Sequence, residues 1–386
     1  MKFYLIAGEP SGDSLGAALI AGLRQLAPQA EFQGVGGPLM QAQGLQSQFP
    51  MDELSVMGIA EVLPKYFALQ RRIRQCAAAA LALGTDALIT IDSPDFCLRV
   101  ARLVRAAGTI PTIHYVAPSV WAWRPGRAAR MAEVIDHVLA LLPFEPPYMT
   151  KAGMGCDFVG HPVVAEPQAS AAEVKRFRAE HRIAPGAPLI VALPGSRRGE
   201  VTRLAPRFGA TLRLVLARHP TARVVVPTLA SISGLVTGLV RDWPGDPLVL
   251  LPTSQAEKAA AFAAGDVALA ASGTVSLELA ASRTPMVIGY DMAWLSRQII
   301  GRMLRVESVT LVNLVAETRA VPEFLGPRCT PQNMAAALLT LLGGGAERAA
   351  QLAAMAATLQ RLGQGGDPPG LRAARAVLQV IGNRVG

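Results

Sequence analysis

The 386-residue chain is short of cysteine, aromatic residues and charge, and each shortage excludes something. Its four cysteines, Cys76, Cys97, Cys156 and Cys329, are scattered, with no CxxC and none near a histidine at zinc spacing. That supports neither a structural metal framework nor a disulfide scaffold, and four free thiols fit a reducing cytoplasm. The five histidines, His114, His137, His161, His181 and His219, are equally dispersed. Aromatic residues make up 5% and no basic run is interleaved with them, which removes a stacking platform for single-stranded nucleic acid. No window of about 18 residues is free of charges and polar breaks, so no membrane-spanning helix is expected. The apolar start meets Glu9 and Asp13 too early for a signal peptide. A DxD motif is missing too, so nothing suggests a metal holding a diphosphate.

What is present points to a large interior. Hydrophobic residues are 51% against 17% charged, which excludes a disordered chain, and the length suits two cores better than one. The net charge of +9 is carried almost entirely by arginine and favours phosphate-bearing ligands or an anionic surface. Because the charge is dispersed rather than striped, no nucleic-acid partner is expected.

Short runs rich in β-branched or large apolar residues alternate with stretches of helical length. Phe3–Ala7, Ala87–Ile91, Thr112–Val116 and Val138–Leu142 are the runs; Leu15–Leu26 and Tyr66–Leu83 are among the helical stretches. The alternation predicts a parallel, doubly wound α/β sheet whose functional loops lie at the strand C-termini. Near residue 165 the texture changes, through Gly160-His161-Pro162 and Glu166-Pro167-Gln168 into a charged helical segment, Ala171–His181. A second series then begins at Pro188–Leu193 and continues with Arg223–Val226, Leu248–Leu251, Val267–Ala270 and Met286–Gly289. The expected architecture is two Rossmann-like, doubly wound parallel-sheet domains, residues 1–165 and 166–345, with a cleft between them. Helices in 346–386, broken at Gly363–Gly370, are expected to pack back on the first domain, of their own chain or of a partner.

The most informative segment is Ala271–Glu278. The strand-like run Val267–Ala270 ends in Ser272-Gly273-Thr274, which open an apolar helix. Unpaired N–H groups and a partial positive charge make such a turn a phosphate site, and Glu278, about one turn inside, is placed to accept hydrogen bonds from ribose hydroxyls. The alternative is an ordinary βα turn with Glu278 in solvent. Pro194-Gly195-Ser196-Arg197 repeats the pattern after the first strand of the second half, with Arg197 placed to pair bidentately with phosphate. With no metal expected, the helix end and Arg197 are left to stabilise a leaving diphosphate.

In the first half, Gly8, Ser11, Gly12 and Asp13 form the loop after the first strand. Glycine there permits close approach of backbone to ligand, while Ser11 or Asp13 can instead cap the next helix. Asp92 and Asp95 follow the strand Ala87–Ile91, at the edge where a general base must stand. Asp86 begins the same strand and by position reads as structural. Tyr115–Arg124 brings Ser119, Trp121, Trp123 and Arg124 to another strand end; aromatic faces and arginine suit a sugar and a phosphate, or the tryptophans are core. Val62–Arg74 and Trp294–Arg305 both set apolar faces beside arginines. Either can lie on an anionic membrane surface or be an ordinary amphipathic core helix.

Taken together, GEPSGD, MGIAEVL (Met57–Leu63), DSPDF, HYVAPSVWAW, LPFE (Leu142–Glu145), FVGHP (Phe158–Pro162), LPGSR and ASGTVSLE occur in the order and spacing of a known family. From about residue 3 to residue 340 the chain resembles the lipid-A-disaccharide synthases, glycosyltransferase family 19. Pro10, where Thr is frequent, and Ser93, where Ala is common, are mild departures. The resemblance implies a GT-B enzyme that joins UDP-2,3-diacylglucosamine to 2,3-diacylglucosamine 1-phosphate (lipid X), giving the β-1,6-linked disaccharide 1-phosphate and UDP. It implies an inverting reaction with no metal and no cofactor, at the cytoplasmic face of the inner membrane, by an enzyme that can form a homodimer swapped through its C-terminal part. The first domain would then take lipid X and the second the UDP-sugar. Carried over by motif, Asp86 and Asp95 match aspartates important for activity, Arg197 the motif arginine and Asn313 a motif asparagine. Asp86 thereby becomes a catalytic candidate, and Asp95 is the expected base by position. Two other classes remain open: a UDP-N-acetylglucosamine 2-epimerase of the same architecture, which would not need apolar basic helices, and a nucleotide-binding regulator, which would not need Asp95.

Overall fold

The computed structural model of the chain describes residues 1–54, 59–121, 126–291 and 308–385. They form two compact units, Met1–Val164 together with Gly365–Gly386, and Ala165–Gln364.

The first unit alternates strand and helix throughout: β1 (Lys2–Ala7), α1 (Pro10–Leu26), β2 (Glu31–Val35), α2 (Pro38–Ala42), β3 (Gln46–Ser47), α3 (Ile59–Ala82) and β4 (Ala87–Ile91). It continues with α4 (Pro94–Ala107), β5 (Thr112–Tyr115), α5 (Gly126–Ala132), β6 (His137–Ala140), α6 (Pro146–Lys151) and β7 (Gly155–Phe158). The sheet order is β3-β2-β1-β4-β5-β6-β7, every pairing parallel. Phe3–Ala7 and all of β4 are buried, as strands covered by helices on both faces must be. The helices bury one stripe each; in α4 it is Phe96, Cys97, Val100, Ala101 and Val104. β2 and β7 carry too many polar residues to read as buried runs, and pairing with the sheet rather than their own pattern makes them strands.

The second unit opens with α7 (Ala171–Glu180), capped by Ser170 and Glu173 in a reciprocal capping box. Then come β8 (Leu189–Leu193), α8 (Arg198–Leu216), β9 (Arg223–Pro227), α9 (Ser233–Val240), β10 (Leu248–Leu250), α10 (Gln255–Ala263), β11 (Val267–Ala270) and α11 (Val275–Ala281). β12 (Met286–Tyr290), α12 (Leu311–Ala316), β13 (Glu323–Leu325), α13 (Pro331–Leu342) and α14 (Ala346–Arg361) complete it. Its sheet runs β10-β9-β8-β11-β12-β13, again wholly parallel. Both sheets are thus Rossmann-like, and the two-domain α/β architecture is GT-B. The strand order reverses between β1 and β4 and between β8 and β11, so the crevices outside those strand ends are where ligands should bind.

The C-terminal division differs from expectation. α14 packs on α11 and α12 of the second unit, where buried Gln351 donates to the Met286 carbonyl at 3.1 Å and the Thr358 hydroxyl to that of Val312 at 3.2 Å. Only α15 (Pro369–Val385) joins the first unit, against α1. That crossing depends on glycine: a Cβ on Gly22 would stand 2.6 Å from the carbonyl oxygen of Gly370.

Candidate functional site

In the second unit the C-terminal ends of β8, β9, β10 and β11 enclose a cavity of about 630 Å³. That is within the ~300–1,000 Å³ of small-molecule sites. Gly195 and Ser196 form one wall and Ser272, Gly273 and Thr274 another. Gly195 has φ +126°, a conformation side chains avoid, and a Cβ there would meet Glu200 at 2.7 Å. The Glu200 carboxylate accepts the Ser196 N–H at 3.3 Å and pairs with the Arg197 guanidinium at 3.5 Å. Arg197 is therefore turned to Glu200, exposed beside the cavity rather than lining it. Ser272 lines the cavity while its hydroxyl donates to the Val309 carbonyl at 3.1 Å.

Glu278 also lines the cavity but is not in open solvent: it forms an ion pair with Lys258 of α10, which faces the same space. Burial, and then the charge of Glu278, pushes the nearby Glu166 carboxyl above its usual range. Lys258 was not anticipated from the sequence, nor was the apolar wall. Leu229 and Leu251 stand exposed there beside Pro227 and Pro252, and the buried Thr228 hydroxyl oxygen has no partner among the described residues. The signal was available in the Pro-Thr-Leu and Leu-Pro-Thr turns that end β9 and β10.

Asn313 is not on the cavity wall, which corrects its placement as a binding residue. It is 2% exposed. Its amide donates to the Val321 carbonyl and to Glu323, both at 2.9 Å, and accepts the Val321 N–H at 3.0 Å. Glu323 in turn holds the N–H groups of Val309 and Thr310 at 3.1 and 3.0 Å, and Val309 is the partner of Ser272. Asn313 thus acts on the cavity through the loop behind Ser272.

In the first unit the loops after β1 and β4 meet: a Cβ on Gly8 would lie 2.6 Å from the Ser93 hydroxyl oxygen. A Cβ on Gly12 would stand 3.3 Å from the Ala7 Cβ, so glycine lets α1 pack closely there, and Ser11 is exposed on the first turn. Asp13 is neither a ligand group nor a cap of its own helix. It is 3% exposed and accepts the N–H groups of Gly37, Leu39 and Met40 at 2.9–3.0 Å, capping α2. Asp86 sits at the N-terminal end of β4, where it accepts the Lys2 N–H at 2.7 Å and ties β1 to β4. Five strand residues, about 17 Å, separate it from the functional edge, so its place contradicts a catalytic role.

Asp95 is exposed on the first turn of α4, at that edge. Before it, Asp92 and Ser93 adopt φ +52° and +43°, and Val116, after β5, φ +85°. Such strain in non-glycine residues collects at functional sites. Ser119 and Asp92 line a smaller cavity there. Trp121 does not: its indole N–H donates to Glu145 at 3.3 Å and its ring packs edge-on against Phe144. Glu145, also accepting the Leu141 and Leu142 N–H groups, is pushed up to about 7 by burial. Trp123, Arg124 and the segment Trp294–Arg305 lie outside the described residues. Among those described, no three His, Cys, Asp or Glu side chains are grouped to hold a metal ion.

A model of the lipid-A-disaccharide synthetase family matches residues 3–366. The lipid-A-disaccharide synthase of Ruegeria pomeroyi is 62% identical over 384 residues, 98% of this chain and 95% of that protein. Among solved structures, the UDP-GlcNAc 2-epimerase of Neisseria meningitidis bound to UDP-GlcNAc aligns with a TM-score of 0.65 at 11% identity, over 99% of this chain and 100% of that one. MurG of Acinetobacter baumannii aligns with a TM-score of 0.56 at 15% identity, over 99% of each. At those identities the structural likenesses speak for the fold alone.

Proposed function

The chain belongs to the lipid-A-disaccharide synthetase family of glycosyltransferases, and from that membership we propose that it joins UDP-2,3-diacylglucosamine to lipid X. The 6-hydroxyl of lipid X attacks the donor's anomeric carbon, the bond to UDP breaks on the opposite face, and the configuration inverts. The hydroxyl proton goes to Asp95, and the bonding electrons leave with UDP. The observation that carries this reading is the second unit's cavity, bounded by two small-residue loops at the β8/β11 switch point. The uracil lies against Leu229, Leu251 and Pro252, the ribose hydroxyls reach Glu278, and the diphosphate lies between the loop at Gly195-Ser196 and that at Ser272–Thr274. Arg197 leaves Glu200 to meet the developing charge. The epimerase alternative is not favoured, because sequence identity ranks this chain with the synthases.

Incubation with both substrates tests the reaction. UDP release should require lipid X and persist in excess EDTA, as the missing DxD implies. A divalent-metal requirement overturns the mechanism, and turnover without an acceptor restores the epimerase or a hydrolase.

We also propose that the protein works on the cytoplasmic face of the inner membrane, since each acyl methylene exposed to water costs about 0.8 kcal/mol. Among the described residues no helix is long and apolar enough to cross a membrane. α3 supplies a surface instead, though not all of the segment expected. Leu69 packs on the core and Arg72 is taken by Glu53 at 2.7 Å. Phe67 is 83% exposed, with Tyr66 edge-on to it, and Arg71 and Arg74 follow on its face at helical spacing. Changing Tyr66 and Phe67 to Ser should weaken flotation with anionic liposomes and leave UDP affinity intact; undiminished flotation of the folded variant removes this surface.

A further inference from the structure

The smaller cavity in the first unit, about 250 Å³ at the ends of β4 and β5, is not explained by the donor site. Its lining includes Asp92, Leu98, His114, Ser119, Arg127 and Met131. Arg127 is half-buried yet has no hydrogen-bond or ion-pair partner among the described residues. The other described arginines of this unit that are half-buried rather than exposed are committed, Arg72 to Glu53 and Arg372 to the Phe158 carbonyl. A half-buried guanidinium with no counter-ion among the described residues is free to take an anion bidentately.

His114 adds a second unfilled group. It is 2% exposed and spends Nδ1 on the Thr90 hydroxyl at 2.7 Å, so in either tautomer Nε2 is the ring nitrogen the described residues leave unused. Burial lowers its pKa to about 4, so the ring is neutral near pH 7 and cannot serve as the counter-ion of an anion. Among the described residues Asp92 accepts only the neighbouring Ser93 N–H, at 2.9 Å. Its carboxylate repels an anion set against it but accepts from hydroxyls. Leu98 and Met131 offer an apolar wall for the carbon face of a ring. At below the ~300 Å³ of drug-sized pockets, the space suits one sugar ring and excludes acyl chains.

We propose that this cavity is the subsite for the phosphorylated sugar end of the acceptor, with Arg127 the counter-ion of its phosphate and Asp92, His114 and Ser119 holding ring hydroxyls. The proposal rests on the acceptor being lipid X. Two of its lining residues, Asp92 and Val116, have positive-φ backbone.

The test compares lipid X with its dephosphorylated form, 2,3-diacylglucosamine, in the full-length wild type, Arg127→Ala and Arg127→Lys. Wild type should prefer lipid X. Arg127→Ala should lose about 10- to 100-fold in kcat/KM for lipid X, through KM, and nothing for the dephosphorylated acceptor. Arg127→Lys should recover part of the preference, and it covers the case in which the alanine variant fails to fold. UDP affinity measured by calorimetry should be unchanged in both variants. Equal losses with both acceptors, or a wild type indifferent to the phosphate, overturn the subsite while leaving the transferase reading intact. No disaccharide from wild type with either acceptor overturns the transferase reading itself.

Discussion

Replacing Asp95 by Asn should lower kcat by about 10²- to 10⁴-fold, the usual worth of a positioned general base, with UDP affinity unchanged. Asn keeps the size and one acceptor oxygen but cannot take a proton, so the loss isolates the proton transfer. Asp95 has the right address: it lies on the first turn of α4, next to the β1/β4 switch point, exposed and without a hydrogen-bond or ion-pair partner among the described residues. Asp86 is the control. Its carboxylate holds the Lys2 N–H at the far end of the same strand, so Asp86→Asn should cost activity only as far as it lowers the folded fraction. Steady-state rates on the two variants, normalised to folded protein by thermal melts, decide between them. Near-normal turnover by Asp95→Asn, with a fully folded but inactive Asp86→Asn, would reverse the assignment.

The two aspartates also show what can be read from the sequence and what cannot. Ala87–Ile91 is a short strand-like run interrupted only by Thr90, so which aspartate stands at its C-terminal end is legible from spacing alone. The same holds for Val267–Ala270 and Leu189–Leu193, whose runs give way abruptly to small residues that line the cavity. Asp13 is different. Its position after a glycine-containing loop fits a ligand group or a local cap equally, and its real partners begin 24 residues away at Gly37. Lys258 belongs to another βα unit than Glu278, and only the sheet order brings α10 beside α11. Asn313 reads as a motif residue, yet its amide is spent inside the protein on Val321 and Glu323. Where α14 packs was equally hidden, because an amphipathic stripe does not name the face it meets.

The second large effect is expected at Arg197. In the structure its guanidinium pairs with Glu200, with the arginine side chain 69% exposed. An ion pair that exposed is worth only about 0–1 kcal/mol, so exchanging Glu200 for a diphosphate costs little. Two phosphate oxygens can engage the planar guanidinium bidentately, and the bond strengthens as charge gathers on departing UDP. The stabilisation therefore falls mainly on the transition state, and its loss should appear in kcat. Arg197→Ala should reduce kcat by about 10²- to 10³-fold, as removal of one preorganised donor does elsewhere. Lysine keeps the charge without the fork, so Arg197→Lys should recover only part of the rate. Glu200→Gln offers the opposite sign: with its competitor neutralised, Arg197 is released to the ligand and UDP should bind more tightly. Rates on the first two variants and calorimetry with UDP on the third measure this exchange. If Arg197→Ala turns over at the wild-type rate, leaving-group stabilisation belongs to the loop N–H groups alone.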